Sequence, residues 1–167
     1  MKEIYKGVFQ IEDNKNIFTI QDIHGDYQVI IHLLVDLAKT CYIKDNTLYW
    51  NQNNDSIIVF CGDLIHRKRY ENVLDDECSD VLIIETVLRL QGEAVDNNGL
   101  VILLAGNHEI LNINRPDEIS YTSPLNIDTN YEYFIKQENI DNFIKNSYAW
   151  VKINDTLIAH GGLCSDY

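Results

Sequence analysis

Four short runs of apolar, largely β-branched residues punctuate the chain: Asn16 to Gln21, Ser56 to Cys61, Leu100 to Ala105 and Thr156 to Ala159. Each gives way at once to polar residues or glycine. Runs of this length and character read as buried strands. Between the first two, Tyr27 to Lys39 carries Val29, Ile30, Leu33, Leu34 and Leu37 at helical spacing. Before the third, Asp80 to Gln91 does the same through Val81, Ile84 and Leu88. Strands alternating with amphipathic helices specify an α/β fold whose sheet is at least partly parallel, and such sheets place their chemistry beyond the carboxyl ends of the strands. Function is therefore expected in the residues that follow each run.

At 167 residues, 46% of them hydrophobic, the chain has the length for one domain with a core and not for two, so residues 1–167 read as a single domain. Residues 112–130 are polar, contain Pro116 and Pro124 and follow no period, which predicts a surface loop. Residues 131–146 predict one or two short helices, and Tyr148 to Ile153 with Thr156 to Ala159 predict a hairpin turning at Asn154-Asp155. Thirteen basic against twenty-six acidic residues, a formal net charge of -13, set the chain against nucleic acid and anionic membrane as partners. Cys41, Cys61, Cys78 and Cys164 are scattered without a CxxC pair, which argues against disulfides and a thiolate zinc site. With no signal-peptide core and no apolar stretch near the roughly 18 residues of a membrane span, the expectation is a soluble, cytoplasmic protein.

Asp22-Ile23-His24-Gly25-Asp26 follows the first run, and alternate residues Asp22 and His24 can offer a carboxylate and an imidazole to one divalent cation. The plainer alternative is that Asp22 caps the next helix. Gly62-Asp63 follows the second run, with Arg67 four residues on. An aspartate at a strand end can bridge two cations and an arginine can clamp a phosphate, although Gly-Asp is also an ordinary turn pair. Gly106-Asn107-His108-Glu109 follows the third, offering an amide carbonyl to a metal and an imidazole as proton donor. His160-Gly161-Gly162 follows the fourth, with another imidazole and glycines that can let the backbone pass close to a site.

These four blocks, in this order and each at the same end of an expected strand, resemble the signature blocks of the calcineurin-like metallophosphoesterases, specifically the phosphoprotein phosphatase branch. VLRLQGEAVDNNGLVILLAGNHEILN and VKINDTLIAHGGL are similar to the Shewanella-like phosphatases. The resemblance implies the N-terminal portion of an α/β/β/α sandwich with its second sheet incomplete. It also implies two divalent ions (manganese, iron or zinc), one held by Asp22, His24 and Asp63 and the other by Asp63, Asn107 and His160. His108 would protonate the leaving group and Arg67 would orient the phosphate. The implied substrate is a phosphorylated protein, on serine or threonine, or a small phosphoester. The alternatives are a nucleoside polyphosphate hydrolase and an inactive remnant acting as a binding module.

Three departures from the family pattern matter. Where the pattern GDxxDRG places an aspartate that supports the general-acid histidine, this chain has His66, an exchange expected to weaken that support. Gln21 and Lys68 replace flanking glycines. The resemblance also implies a further histidine ligand and a second phosphate-clamping arginine beyond HGG, so the chain reads as C-terminally truncated with an incomplete second site. His32 reads as a surface or packing residue. A sheet face left wet by several hundred Å² would forfeit on the order of 10 kcal/mol, which leads to the expectation of a complementing C-terminal chain or self-association.

Overall fold

The computed structural model describes residues 9–11, 13–66, 79–114 and 138–162. Three of the apolar runs form β2 (Ile17–Ile20), β5 (Ile57–Phe60) and β6 (Leu100–Leu104), which lie parallel in a four-stranded sheet of order β2-β5-β6-β7, where β7 is Ser147–Tyr148. Each connection crosses over through helix on the way to its parallel neighbour. β5 is buried at every residue, which is why its sequence is continuously apolar and does not alternate.

Burial on the two faces of this sheet comes from different partners. Ile58, Phe60, Val101 and Leu103 pack with α1 (Tyr27–Ile31), α2 (Ser79–Asp96) and α4 (Glu138–Asn146) in the larger core. Ile57, Val59, Cys61, Ile102 and Leu104 pack against Val151 and Ile153 of a second, three-stranded sheet of order β1-β8-β9. Here β1 is Phe9–Ile11, β8 is Trp150–Ile153 and β9 is Thr156–Ala159; β1 runs parallel to β8, and β8 antiparallel to β9. The expectation of an uncovered apolar face therefore needs correcting for the larger sheet. Its central residues are 0–3% exposed on both faces, because the second sheet, short as it is, lies over β5 and β6.

Several boundaries also differ from expectation. The helix expected over Tyr27 to Lys39 is α-helical only to Ile31 and continues as a π-helical segment, His32–Leu37. The hairpin at Asn154-Asp155 forms, but Tyr148 is not part of it: it belongs to β7, which pairs with β6 in the other sheet. α3 (Asn107–Asn114) carries helix into the first residues of the expected loop, and 115–130 lie outside the described residues. Two features were not anticipated. β1 is one. The other is a hairpin of β3 (Cys41–Lys44) and β4 (Thr47–Trp50), turning at Asp45 and Asn46, whose φ of 50° and 59° suits a two-residue turn. Among the described residues no helix is long and apolar enough to cross a membrane.

Candidate metal centre

The segments that follow β2, β5, β6 and β9 meet at one end of the molecule. The first two are laced together by backbone hydrogen bonds: Asp22 N–H to the Gly62 carbonyl (3.3 Å), His24 N–H to the Asp63 carbonyl (2.9 Å) and Gly25 N–H to the Leu64 carbonyl (2.7 Å). This lacing bends the chain sharply. Asp22, His24 and Asp63 take φ of 54°, 48° and 52°, a left-handed conformation costing roughly 1–2 kcal/mol per non-glycine residue. Strain concentrated on three candidate ligands is the pattern expected where side-chain direction matters more than local stability. Asp22 does not cap the next helix; Asp26 does, its Oδ1 accepting from Val29 N–H at 3.1 Å.

Asp63 is the hub. It is 4% exposed, and its Oδ1 accepts the His108 backbone N–H at 2.9 Å from the first turn of α3. The same oxygen lies 3.4 Å from His160 Nε2, while Oδ2 lies 3.9 Å from His24 Nε2 and 3.8 Å from His108 Nε2; Asp22 Oδ1 is 3.9 Å from His24 Nε2. Donor atoms of Asp22, Asp63 and His160 fall within 4.8 Å of one another, as do those of His24, Asp63 and His108. Gaps of 3.4–3.9 Å exceed hydrogen-bonding reach. They approach the roughly 3.0–3.6 Å that separates two donors each about 2.1 Å from a shared ion.

His160 supplies the sharpest test of whether this donor set fits a cation. Its Nδ1–H donates to the Cys61 carbonyl at 2.8 Å, and a carbonyl only accepts, so in the neutral ring Nε2 is a bare lone pair. That lone pair faces Asn107 Oδ1 at 3.0 Å and Asp63 Oδ1 at 3.4 Å. Turning the Asn107 amide over leaves the Asp63 oxygen still an acceptor. Acceptors aimed at one another repel, and a cation among them removes the conflict. A backbone carbonyl holding the far nitrogen of a ligating histidine is also the usual way its tautomer is set. The residues present therefore fit a divalent ion. His24 adds a buried Nδ1 with no hydrogen-bond partner among the described residues.

Among the described residues, thiolates take no part. Burial, the largest influence on each, pushes the Cys41 thiol up to about 12 and the Cys61 thiol to about 11, so both stay protonated. His32 is exposed, paired with Asp36 at 2.9 Å one turn along its own helix. Arg67 and Lys68 lie outside the described residues. Gly161 and Gly162 are exposed with open space where a Cβ would stand, so the close-approach role expected of them is not met. That role falls to Gly62 and Gly106. A Cβ on Gly62, at φ 93°, would sit 2.5 Å from the Gly106 nitrogen and 2.9 Å from His160 Nδ1.

Reading the sequence missed Glu109, although it closes the GNHE block. Its carboxylate is 1% exposed and gathers the backbone N–H groups of Asp63 and Gly106 on Oε2 and of Leu64 on Oε1, all at 2.8 Å. Burial raises its pKa, the three N–H donors pull it back, and the Asp63 charge adds to the rise. Glu109 thus ties the strand end that carries Asp63 to the loop that opens α3. Because both oxygens accept, Glu109→Gln turns an NH2 against N–H donors. It should destabilise the fold by about 2–4 kcal/mol in urea titration despite being isosteric; a loss under about 0.5 kcal/mol would show that the clamp is not needed.

A family model for the calcineurin-like phosphoesterases matches residues 16–167. The chain belongs to that family. Over 168 aligned residues, 95% of this chain, it is 30% identical to Shewanella-like protein phosphatase 1 of Plasmodium berghei (strain Anka), and it spans 42% of that protein. Two crystal structures of a cold-active protein-tyrosine phosphatase, one described as from a psychrophilic Shewanella species, superimpose with TM-scores of 0.69 and 0.71 at 21% and 22% identity. Both superpositions cover 94% of this chain and 45% and 44% of the respective structures. The calcineurin-like phosphoesterase fold is thereby shown, over less than half the length of these relatives.

Proposed function

We propose that the site hydrolyses phosphomonoesters with the help of two divalent cations, and that its substrate is a phosphorylated protein carrying phosphoserine or phosphothreonine. The observation that carries this reading is the bare Nε2 of His160 opposed to Asp63 and Asn107, which makes sense around a cation. Asp22, His24 and Asp63 would hold one ion, and Asp63, Asn107 and His160 the other, with manganese, iron and zinc all compatible with such ligands. Asp63 suits the shared position because each of its oxygens faces a different imidazole. Bound there, the ions supply Lewis acidity to the phosphoryl oxygens and lower the pKa of water.

The chain's own residues do the rest. His108, whose Nε2 lies 3.8 Å from Asp63, would protonate the leaving oxygen, a contribution of typically 10²–10⁴-fold. Arg67 orients the phosphate in this reading on the strength of the family pattern alone. His108→Ala should lower turnover of a phosphopeptide by at least ~100-fold while bound metal stays unchanged; equal loss of metal would make His108 structural. Parallel assays on phosphoserine and phosphotyrosine peptides and on a dinucleoside tetraphosphate assign the substrate class. Preference for the anhydride would replace the protein-phosphatase reading with nucleoside polyphosphate hydrolysis.

A further inference from the structure

The donor atoms at this end of the molecule do not group as the family pattern pairs them. That pattern sets Asp22 beside His24 and Asp63. Yet His108 Nε2 stands 3.8 Å from Asp63 Oδ2, as near as His24 Nε2 at 3.9 Å, and His24, Asp63 and His108 each bring a donor atom within 4.8 Å of the other two. Asp22 reaches His24 at 3.9 Å as well, but its own group of three runs through Asp63 to His160. An ion resting on His24 and Asp63 Oδ2 therefore has two third donors within reach, the Asp22 carboxylate and the His108 imidazole.

The two choices suit different metals. With Asp22 the ion meets two carboxylates and one imidazole, an oxygen-rich set that suits manganese with its waters. With His108 it meets two imidazoles and one carboxylate, and three protein donors with one open position is the tetrahedral arrangement that zinc favours. Burial points the same way. The Asp22 side chain is 52% exposed, whereas those of His24, Asp63 and His108 are 12%, 6% and 19% exposed, so the second set is also the drier. The His108 ring is flanked by two others: it meets His24 edge-on, with centroids 4.8 Å apart, and its Nδ1 lies 2.7 Å from Nδ1 of His66. Contacts at the far nitrogen of this kind hold a ligating imidazole in orientation.

We propose that zinc on the His24 side takes His108 as its third protein donor in place of Asp22, and that it thereby deprives the site of its proton donor. A nitrogen whose lone pair is given to zinc carries no hydrogen, so a coordinated Nε2 has none to pass to a leaving oxygen. Manganese held through Asp22 leaves that nitrogen uncoordinated. The ligand set given above thus stands for manganese and changes for zinc, which makes zinc an inhibitor that competes with manganese for the His24 side. The inhibition rests on the proton-donor reading of His108; the ligand assignment does not.

Metal affinities of the full chain, measured by competition with a chromophoric chelator, test the assignment. His108→Ala should weaken zinc binding at one site more than ~100-fold, beyond the 10–100-fold that an outer-shell partner is worth, and change manganese binding less than about threefold. Asp22→Ala should do the reverse. Zinc affinity untouched by His108→Ala, or equal losses of both metals in each variant, would overturn the proposal. Anomalous difference maps from wild-type crystals grown with zinc need no variant to fold: we expect a peak about 2.0–2.1 Å from Nε2 of both His24 and His108. Zinc at that distance from Asp22 with His108 out of reach overturns the assignment and leaves the proton-donor reading standing. Exchanging manganese for zinc in the wild type should cost at least ~10-fold more kcat on a phosphoserine peptide, whose alkoxide needs a proton, than on p-nitrophenyl phosphate, whose leaving group does not. If zinc sits on His108 and both substrates lose activity equally, the inhibition falls with the proton-donor reading and the ligand assignment survives.

Discussion

Asp63→Asn should leave the fold intact and strip the site of at least one of the two proposed ions, weakening metal binding more than ~100-fold, beyond the 10–100-fold that losing an outer-shell partner costs. The reason is directional. Asp63 Oδ1 accepts the His108 backbone N–H, so an asparagine oxygen will take that position and its NH2 will turn toward His24, replacing an acceptor by a donor where the first ion would sit. The ion on the His160 side would keep the Asn107 and His160 donors. Metal content by mass spectrometry, with circular dichroism as the control for folding, reads this directly. Two ions in the variant would mean that Asp63 does not bridge, and loss of fold would mean that its role is structural.

Gly106→Ala should unfold or grossly destabilise the protein, by about 3 kcal/mol or more, whereas Gly92→Ala should stabilise it by about 0.5–1 kcal/mol. A Cβ on Gly106 would overlap Asp63 Oδ1 and the Asp63 amide nitrogen and come within 2.8 Å of Glu109 Oε2. Neither neighbour can retreat, because Asp63 is held by His108 and Glu109 by three backbone amides. Gly92 lies exposed inside α2 with nothing within 4 Å of a new Cβ, so there alanine simply replaces a poor helix former. Urea midpoints for the two variants should move in opposite directions. A tolerated Gly106→Ala would contradict the close approach of the β5 and β6 ends on which the site depends.

What the sequence disclosed follows from how strongly each element depends on its own residues. β5 and β6 were legible because a strand buried on both faces must be apolar throughout, β2, an edge strand with only Ile20 buried, from its run of β-branched and aromatic residues, and the candidate ligands followed because each stands within a few residues of a strand's end. β1 was not legible: three residues carry no period, and the strand exists only through its pairing with Val151 to Ile153 far along the chain. The β3–β4 hairpin did have a signal, Asp45-Asn46 between Cys41-Tyr42-Ile43 and Leu48-Tyr49-Trp50, which the helical pattern before it overshadowed. Tyr148 was misassigned because its neighbours run on into β8 without a turn residue, and only the sheets show where the chain changes partner. Glu109 and His66 show the same limit. Their residue types were visible, but that one gathers three amides and the other touches His108 is a matter of tertiary contact.

The most direct test of the convergence of the four strand ends on a pair of cations is an anomalous difference map from crystals of the full chain grown with manganese. We predict two peaks roughly 3.5–4 Å apart on either side of Asp63, one toward Asp22 and His24 and the other toward Asn107 and His160. Manganese bound elsewhere, or no peak within reach of Asp63, would contradict the account.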